Sequence, residues 1–360
     1  MTGNLQMAVQ QSSPRTNRTV PTQENDLAID ADNVHVTYDD GTEAVRGVSL
    51  DVAEGEFLGF LGPNGAGKTT TIRTLVTLLY PTEGSVSING YDTTTEPQAV
   101  RESIGYMAQE TSIDLELTPR ENLRIACEMY GVPSDERDER IETLLDLVDL
   151  HDVADKRAET FSGGMQKRLD TATVLVHRPP VVFLDEPTTG LDPEARLRVW
   201  DYFEKINSRG TTVFLTTQYL EEADRLCDRV AVLEDGQIIA EGTPESLKDT
   251  VGTDTLTVAF EQPTDRQKRR VIEAVRAVQT LDDATVESTP SGLAVKAPDV
   301  TRAATSVFEV LTDADVAISA FDVDSPTLDD VFLSLTGDDE SAAVESEIDS
   351  TRAATQEVPR

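Results

Sequence analysis

Gly62-Pro63-Asn64-Gly65-Ala66-Gly67-Lys68-Thr69 is the stretch that decides the fold of this chain. It follows a short apolar run, Glu56-Phe57-Leu58-Gly59-Phe60-Leu61, that reads as a buried strand. Thr70 to Leu79, immediately after it, carries a helical pattern. Strand, glycine loop and helix in that order is the context in which such a loop cradles a triphosphate. The glycines let backbone N–H groups turn inward, and the helix that follows adds its positive end. Lys68 is expected on the β- and γ-phosphates, and Thr69 is expected to hold Mg²⁺ through its hydroxyl, with Thr70 extending the cradle. A chance glycine-rich turn has no need of all eight positions.

Working outward, Val181-Val182-Phe183-Leu184 is an uninterrupted apolar run, as expected of a strand in a sheet covered on both faces. It ends in Asp185-Glu186. A parallel sheet presents its ligands at such a strand end, so Asp185 is expected on Mg²⁺ through the ion's water shell. Glu186 is then placed to orient or deprotonate an attacking water. Upstream stands Ser162-Gly163-Gly164. This turn has no role in a solitary phosphate-loop enzyme. It makes sense if it closes over the triphosphate held by a second copy of the chain, as one half of a head-to-tail homodimer.

Composition limits the partners. The 360 residues carry a formal net charge of −36, with a pI near 4.3. The two ends, 1–25 and 338–360, contribute +1 and −5, which leaves −32 on the body. Such a field repels nucleic acid and anionic lipid headgroups. It also predicts a salt-rich cytoplasm, where counterions screen self-repulsion within about 3 Å at 1 M salt. The two cysteines, Cys127 and Cys227, match no disulfide or zinc spacing and read as buried thiols. No apolar run reaches signal-peptide or membrane-spanning length, so a membrane role is expected only through a partner.

Four segments follow from the patterning. Residues 1–25 and 338–360 are polar and read as disordered tails. Residues 26–248 form the nucleotide-binding domain, opening with strands at Val34, Val36 and Tyr38 and at Val48, Leu50 and Val52 around a turn at Asp40-Gly41. Within it, residues 112–178 are mostly helical. Thr118-Pro119-Arg120-Glu121 is a capping box, and Ile141, Leu144, Leu145 and Val148 recur at helical spacing. Thr212 to Leu215 is a further strand, and Val230–Leu233 with Gln237–Ile239 form a hairpin around Asp235-Gly236. Residues 252–337 read as βαββαβ, a small α+β module of ferredoxin-like type. A last helix is expected from Ser325-Pro326, with Leu328, Val331, Phe332 and Leu335 on one face and Gly337 as its stop. The fold class is α/β, a P-loop nucleoside-triphosphatase domain with a helical subdomain and this accessory module.

With those motifs in place, residues 28–245 resemble the ATP-binding subunit of ABC transporters. The resemblance implies ATP and Mg²⁺ as cofactors and roles for residues that a lone motif would not identify. Tyr38 matches the aromatic that stacks on adenine, with a strand aromatic in the core as the lesser alternative. Gln109, in Gly105-Tyr106-Met107-Ala108-Gln109, matches the Q-loop glutamine that senses Mg²⁺ and γ-phosphate. Phe161-Ser162-Gly163-Gly164-Met165 matches the signature, with Met165 where glutamine is usual. Asp192, in Gly190-Leu191-Asp192, matches the D-loop residue at the dimer interface. Thr216-Thr217-Gln218-Tyr219 departs from the family, which has histidine where Gln218 stands. Gln218, the Thr-Thr-Gln-Tyr-Leu-Glu-Glu-Ala-Asp run at 216–224, and Ser-Pro-Thr-Leu-Asp-Asp-Val-Phe-Leu at 325–333 together resemble the daunorubicin/doxorubicin-resistance exporter type. That type pairs with a separate ABC-2 permease and lies on the inner face of the cell membrane. Its C-terminal module is expected to serve structure, regulation or dimer contacts.

Two other classes use the same cassette. Translation- and DNA-linked ATPases carry paired cassettes or long insertions that are absent from this sequence, and a regulator that only binds ATP has no need of Glu186. The Gln218 departure yields a measurement. A neutral amide donates a hydrogen bond to phosphate but cannot become cationic, and a lost charge-assisted contact is worth roughly 1–3 kcal/mol. Gln218→His is expected to hydrolyse ATP faster with ATP affinity unchanged; a steady-state assay with no gain in turnover contradicts this.

Overall fold

The computed structural model describes residues 27–335, apart from 253, 262–263, 277, 279–283, 298–299 and 315. The tails at 1–25 and 338–360 and the helix stop at Gly337 lie outside the described residues.

The chain opens with antiparallel β1 (Leu27–Thr37) and β2 (Glu43–Ala53), then β3 (Phe57–Leu61), the phosphate loop and α1 (Lys68–Leu75). Next come β4 (Glu83–Ile88), β5 (Tyr91–Asp92), α2 (Pro97–Ser103) and β6 (Ile104–Met107). A helical stretch holds α3 (Pro119–Met129), α4 (Arg137–Leu147) and α5 (Gly163–Thr173). The chain then returns through β7 (Val181–Asp185), α6 (Pro193–Asn207), β8 (Thr212–Thr217), α7 (Leu220–Leu226), β9 (Arg229–Glu234), β10 (Gln237–Gly242) and α8 (Pro244–Val251).

Two sheets result. One is antiparallel, in the order β2-β1-β4-β5. The other runs β10-β9-β3-β8-β7-β6, parallel throughout except for the β9–β10 hairpin. The central strands are buried on both faces, which explains their unbroken apolar runs. Alternation still divides them. Leu58 and Phe60 of β3, Phe183 of β7 and Phe214 of β8 join one core with Ile72 and Leu75 of α1 and the antiparallel sheet. Phe57, Leu61, Val182, Leu184, Val213 and Leu215 join a second core with α3 to α6. Phe214 is the hinge of the first core, its ring 5.4 Å from Phe60 and 5.5 Å from Phe183.

The parallel register decides where chemistry can occur. Leu61 lies opposite Thr217, Asp185 opposite Thr216, and Met107 opposite Leu184. The segments leaving β3, β6, β7 and β8 therefore emerge side by side at one edge, the carboxyl ends of the strands, where open parallel sheets bind ligands.

The capping box is present: Thr118 Oγ1 accepts from the Glu121 N–H, and the Glu121 carboxylate accepts from the Thr118 N–H at 2.9 Å. The helix after the phosphate loop is shorter than its pattern, ending at Leu75 rather than Leu79. A C-terminal turn stops it: Leu78 N–H reaches Arg73 O at 2.8 Å and Thr77 N–H reaches Thr74 O. Thr77 adopts φ 67° there, the left-handed position usually given to glycine, so no sequence stop signal marks it.

The C-terminal segment forms β11 (Thr255–Phe260), α9 (Asp265–Arg276), β12 (Thr285–Ser288), β13 (Gly292–Lys296), α10 (Val300–Asp313) and β14 (Ile318–Asp324). Its sheet order, β12-β13-β11-β14, is antiparallel throughout and matches the ferredoxin-like arrangement expected for βαββαβ. Val271, Val275, Val307 and Leu311 fill its separate core. β14 is an edge strand exposed along its whole length, so Ile318 and Phe321 stay outside that core. One expectation shifts. The last helix, α11 (328–335), starts after Thr327, whose hydroxyl and N–H engage the Asp330 carboxylate as a cap. Its Leu328 and Val331 are buried in the second core of the first domain, Phe332 packs there in part, and Leu335 is exposed. The two cysteines are buried. Among the described residues, no helix is long and apolar enough to cross a membrane.

Candidate active site

The phosphate loop is built by steric exclusion. Gly67, the residue before α1, has φ 105°, and a Cβ on it would stand 2.4 Å from Ala44 O. Only glycine fits both constraints. Pro63, Asn64 and Gly65 are exposed, while Gly62 and Ala66 are buried. Lys68 is 4% exposed, and its ammonium donates to Gly62 O at 2.8 Å and Pro63 O at 3.0 Å. Thr69 and Thr70 follow on the first turn of α1, half-buried.

Across the edge stands Glu186, 7% exposed. Its Oε1 lies 3.4 Å from Lys68 Nζ. Its Oε2 accepts from Gln109 Nε2 at 3.1 Å and from the Thr189 hydroxyl at 3.4 Å. Phosphate-loop lysine, β7-end carboxylate and β6-end amide thus form one cluster. Glu186 takes a left-handed backbone, φ 47°, held by its N–H bonding both the main-chain oxygen and the hydroxyl of Thr216. Non-glycine residues kept in that region cost of order 1 kcal/mol or more, and such positions gather at active sites. Here the conformation aims the carboxylate at Lys68 rather than along the strand.

Asp185 is 1% exposed and accepts from the Thr216 hydroxyl at 2.6 Å. Burial pushes its pKa up. The Thr216 hydrogen bond opposes that shift, Glu186 reinforces it, and Arg73 and Lys68 oppose it. A carboxylate held under such strain gains from a cation. Thr69 supplies a hydroxyl and Asp185 a carboxylate, both hard oxygen donors of the kind Mg²⁺ takes, so these side chains fit the ion.

Tyr38 lies just past β1, 39% exposed, with its hydroxyl 3.0 Å from Thr70 Oγ1. It is therefore not a core tyrosine; the ring stands beside the first turn of α1. Gln218 sits at the end of β8 with an exposed side chain, outside the Lys68–Glu186–Gln109 cluster.

Ser162, Gly163, Gly164 and Asp192 form a second group. Ser162 caps α5, accepting from the Met165 N–H, and is exposed. Gly163 faces Leu191, and a Cβ on Gly164 would stand 2.8 Å from Ala195 Cβ, so the turn packs directly on the start of α6. Asp192 caps α6 through the Ala195 N–H at 2.8 Å. Among the described residues, no hydrogen bond or ion pair joins this group to the phosphate loop.

Sequence reading missed what ties the groups together. On α5, Lys167 donates to Gln109 O at 2.7 Å, and Asp170 accepts from the Ser112 hydroxyl at 2.5 Å. Both are buried, and burial lowers the Lys167 pKa and raises that of Asp170. Polar residues at i and i+3 read as a solvated helix face, so nothing in the sequence announced them. Thr216 likewise stands in the sequence only as the first residue of the Thr216-Thr217-Gln218-Tyr219 string, just past the strand expected at Thr212 to Leu215.

Gly67→Ala should abolish nucleotide binding, because the added methyl meets main-chain oxygen rather than a movable side chain. A fluorescent-nucleotide titration with affinity within about threefold of the native chain, less than 1 kcal/mol, would contradict this.

Comparison with known proteins places the arrangement. The ABC transporter family matches residues 45–189, and the ATP-binding protein DrrA1-3-like C-terminal domain matches residues 242–336. The chain is 41% identical over 314 residues to the daunorubicin resistance ATP-binding protein DrrA3 of Streptomyces coeruleorubidus, covering 87% of this chain and 97% of that one. It is 37% identical over 317 residues to the doxorubicin resistance ATP-binding protein DrrA of Mycobacterium tuberculosis, with coverages of 87% and 95%. It is 40% identical over 236 residues to the Nod factor export ATP-binding protein I of Burkholderia orbicola, with coverages of 65% and 77%. A dimeric post-hydrolysis ATP-binding cassette with ADP and phosphate superposes with TM-score 0.55 at 29% identity, covering 60% of this chain and 98% of that one.

Proposed function

Because the chain belongs to the ABC transporter ATP-binding proteins of daunorubicin/doxorubicin-resistance type, we propose that it powers export of a drug-like or lipid-like compound through a separate ABC-2 permease. It is the ATP-hydrolysing subunit of an ABC exporter. The single observation that carries the catalytic assignment is the buried Lys68–Glu186–Gln109 cluster at the strand ends. Residues 26–248 are the ATPase unit, with helical residues 112–178, and residues 252–337 the accessory module. The separate cores support that division; burial of Leu328 and Val331 in the ATPase core means that α11 straps the module back onto it.

ATP enters with its triphosphate on the loop from Gly62 to Thr70, whose N–H groups donate to it at every position but Pro63, and with its base against Tyr38. The γ-phosphate competes with Glu186 and the loop oxygens for the Lys68 ammonium. Drawing Lys68 to phosphate frees the Glu186 carboxylate from its ion pair, and Glu186 then accepts a proton from the attacking water. Thr69, Asp185 and Gln109 would hold Mg²⁺, which would supply positive charge against the transferred phosphoryl group. Gln109 touches Glu186 through its amide, and its main-chain oxygen accepts from Lys167, so a shift of the Gln109 segment is carried into α5. Gln218 donates to the γ-phosphate from the end of β8.

The second group completes the reaction centre in trans. Ser162, Gly163 and Gly164 offer an exposed helix start to the triphosphate of a second copy, with Asp192 across the same interface. Two copies close head to tail, and hydrolysis reopens them, a ligand-driven shift between two states. Exposed Ile125 and Met129, one turn apart on α3, offer an apolar face suited to a permease loop. Docking there keeps the subunit peripheral on the cytoplasmic face of the membrane.

Glu186→Gln keeps the side chain's size while removing the base, so ATP should trap it as a dimer in size-exclusion chromatography with light scattering; a persistent monomer that still binds ATP would contradict the closure mechanism. The net charge of −36 points to a salt-rich cytoplasm. Thermal melts should therefore rise in Tm as KCl climbs from about 0.1 M, where screening reaches about 10 Å, to above 1 M. A flat or falling series would remove that assignment.

A further inference from the structure

Glu222, on α7, has a fully buried side chain and no role in the chemistry derived above. Its Oε1 accepts two hydrogen bonds, from the Thr188 hydroxyl at 2.9 Å and from the Trp200 indole N–H at 2.7 Å. Thr188 and Trp200 are themselves buried. The Thr217 hydroxyl and the Arg196 guanidinium also stabilise the carboxylate, although Oε2 has no hydrogen bond of normal geometry. Arg196 in turn lies over the Tyr219 ring, 4.1 Å from its centroid, with its own Nε buried and unpaired.

The sequence positions of these partners give the cluster its meaning. Thr188 stands two residues after Glu186 and four before Asp192, inside the tight turn in which Thr189 N–H bonds Glu186 O and Leu191 N–H bonds Thr188 O. Thr217 and Tyr219 flank Gln218, and Glu222 lies one helical turn beyond it. Trp200 and Arg196 belong to α6, the helix capped by Asp192. One carboxyl therefore braces three pieces: the segment bearing Glu186, the segment bearing Gln218 and the helix bearing Asp192. Placing a carboxyl in such a site is unfavourable in itself, since burial raises its pKa against the opposing hydrogen bonds. An apolar side chain would fill the same space without that cost, so its advantage lies in the direction of its hydrogen bonds.

We propose that Glu222 is a positioning residue for ATP hydrolysis, fixing Gln218 relative to Glu186 through Thr188 and Trp200. The proposal rests on the ATPase assignment, and it separates hydrolysis from binding. Lys68 and the loop N–H groups that hold the triphosphate have no bond to Glu222, whereas every partner of Glu222 lies on a segment that carries a residue acting on the γ-phosphate or the dimer interface.

The experiment compares the full native chain with Glu222→Gln, Glu222→Ala, Thr188→Val and Trp200→Phe, reading ATP turnover, nucleotide affinity by fluorescent-ATP titration, and Tm. Glu222→Ala and Thr188→Val should lower kcat at least about tenfold while nucleotide affinity stays within about threefold. Glu222→Gln keeps a carbonyl acceptor for Thr188 and Trp200 and should recover most of the turnover. Thr188→Val and Trp200→Phe preserve packing, so they carry the test if Glu222→Ala does not fold. The proposal is overturned if Thr188→Val and Trp200→Phe both turn over at the native rate. It is also overturned if kcat and affinity fall together in step with Tm, as a purely structural role requires. A native chain without turnover at any concentration would instead overturn the ATPase assignment, and this proposal with it.

Discussion

Everything in this site depends on β8 lying between β3 and β7 in a parallel sheet. With Leu61 opposite Thr217 and Asp185 opposite Thr216, three chain segments must leave the sheet at the same level. The loop after β3 brings a lysine, the end of β7 two carboxylates, and the end of β8 a hydroxyl and an amide. A one-residue slip in either pairing would turn the apolar side chains of β8 to the wrong core and carry Thr216 away from Asp185. The two cores that reward the alternation of Val213, Phe214 and Leu215 therefore fix the catalytic register as well.

That rigidity holds an arrangement that is unfavourable locally. Lys68 and Glu186 are charges taken almost wholly out of water, Asp185 is a carboxyl whose burial opposes ionisation, and Glu186 carries a left-handed backbone. None of these features stabilises the fold on its own. Each is held by neutral hydroxyls and main-chain groups: Thr216 on Asp185 and on the Glu186 N–H, Thr189 on Glu186, and the oxygens of Gly62 and Pro63 on Lys68. A bound triphosphate would answer Lys68 alone with charge of the right sign, and a bound cation would do the same for Asp185.

Much of this was legible in the sequence because it rests on local rules. The eight-residue loop, the apolar run into Asp185-Glu186, the Thr118 capping box and the alternation that gave βαββαβ each follow from residue type and spacing. What escaped reading depends on contacts between distant segments. Nothing local marks Thr77 as a helix stop, since a threonine there takes a conformation expected of glycine. Glu222 reads as one acid in an acidic helix until Thr188 and Trp200 close on it from residues 34 and 22 positions away. Lys167 and Asp170 read as solvent-facing until the segment around Gln109 and Ser112 covers them.

The central claim is that a complete reaction centre needs Lys68 and Glu186 from one copy and Ser162 from another. It is tested most directly by specific ATPase activity across a dilution series of the full chain, from micromolar concentration to below the point at which light scattering finds only monomer. The account predicts that turnover per molecule falls with dilution as pairs dissociate. Constant turnover per molecule down to the fully monomeric range, unchanged by Ser162→Ala, would contradict it.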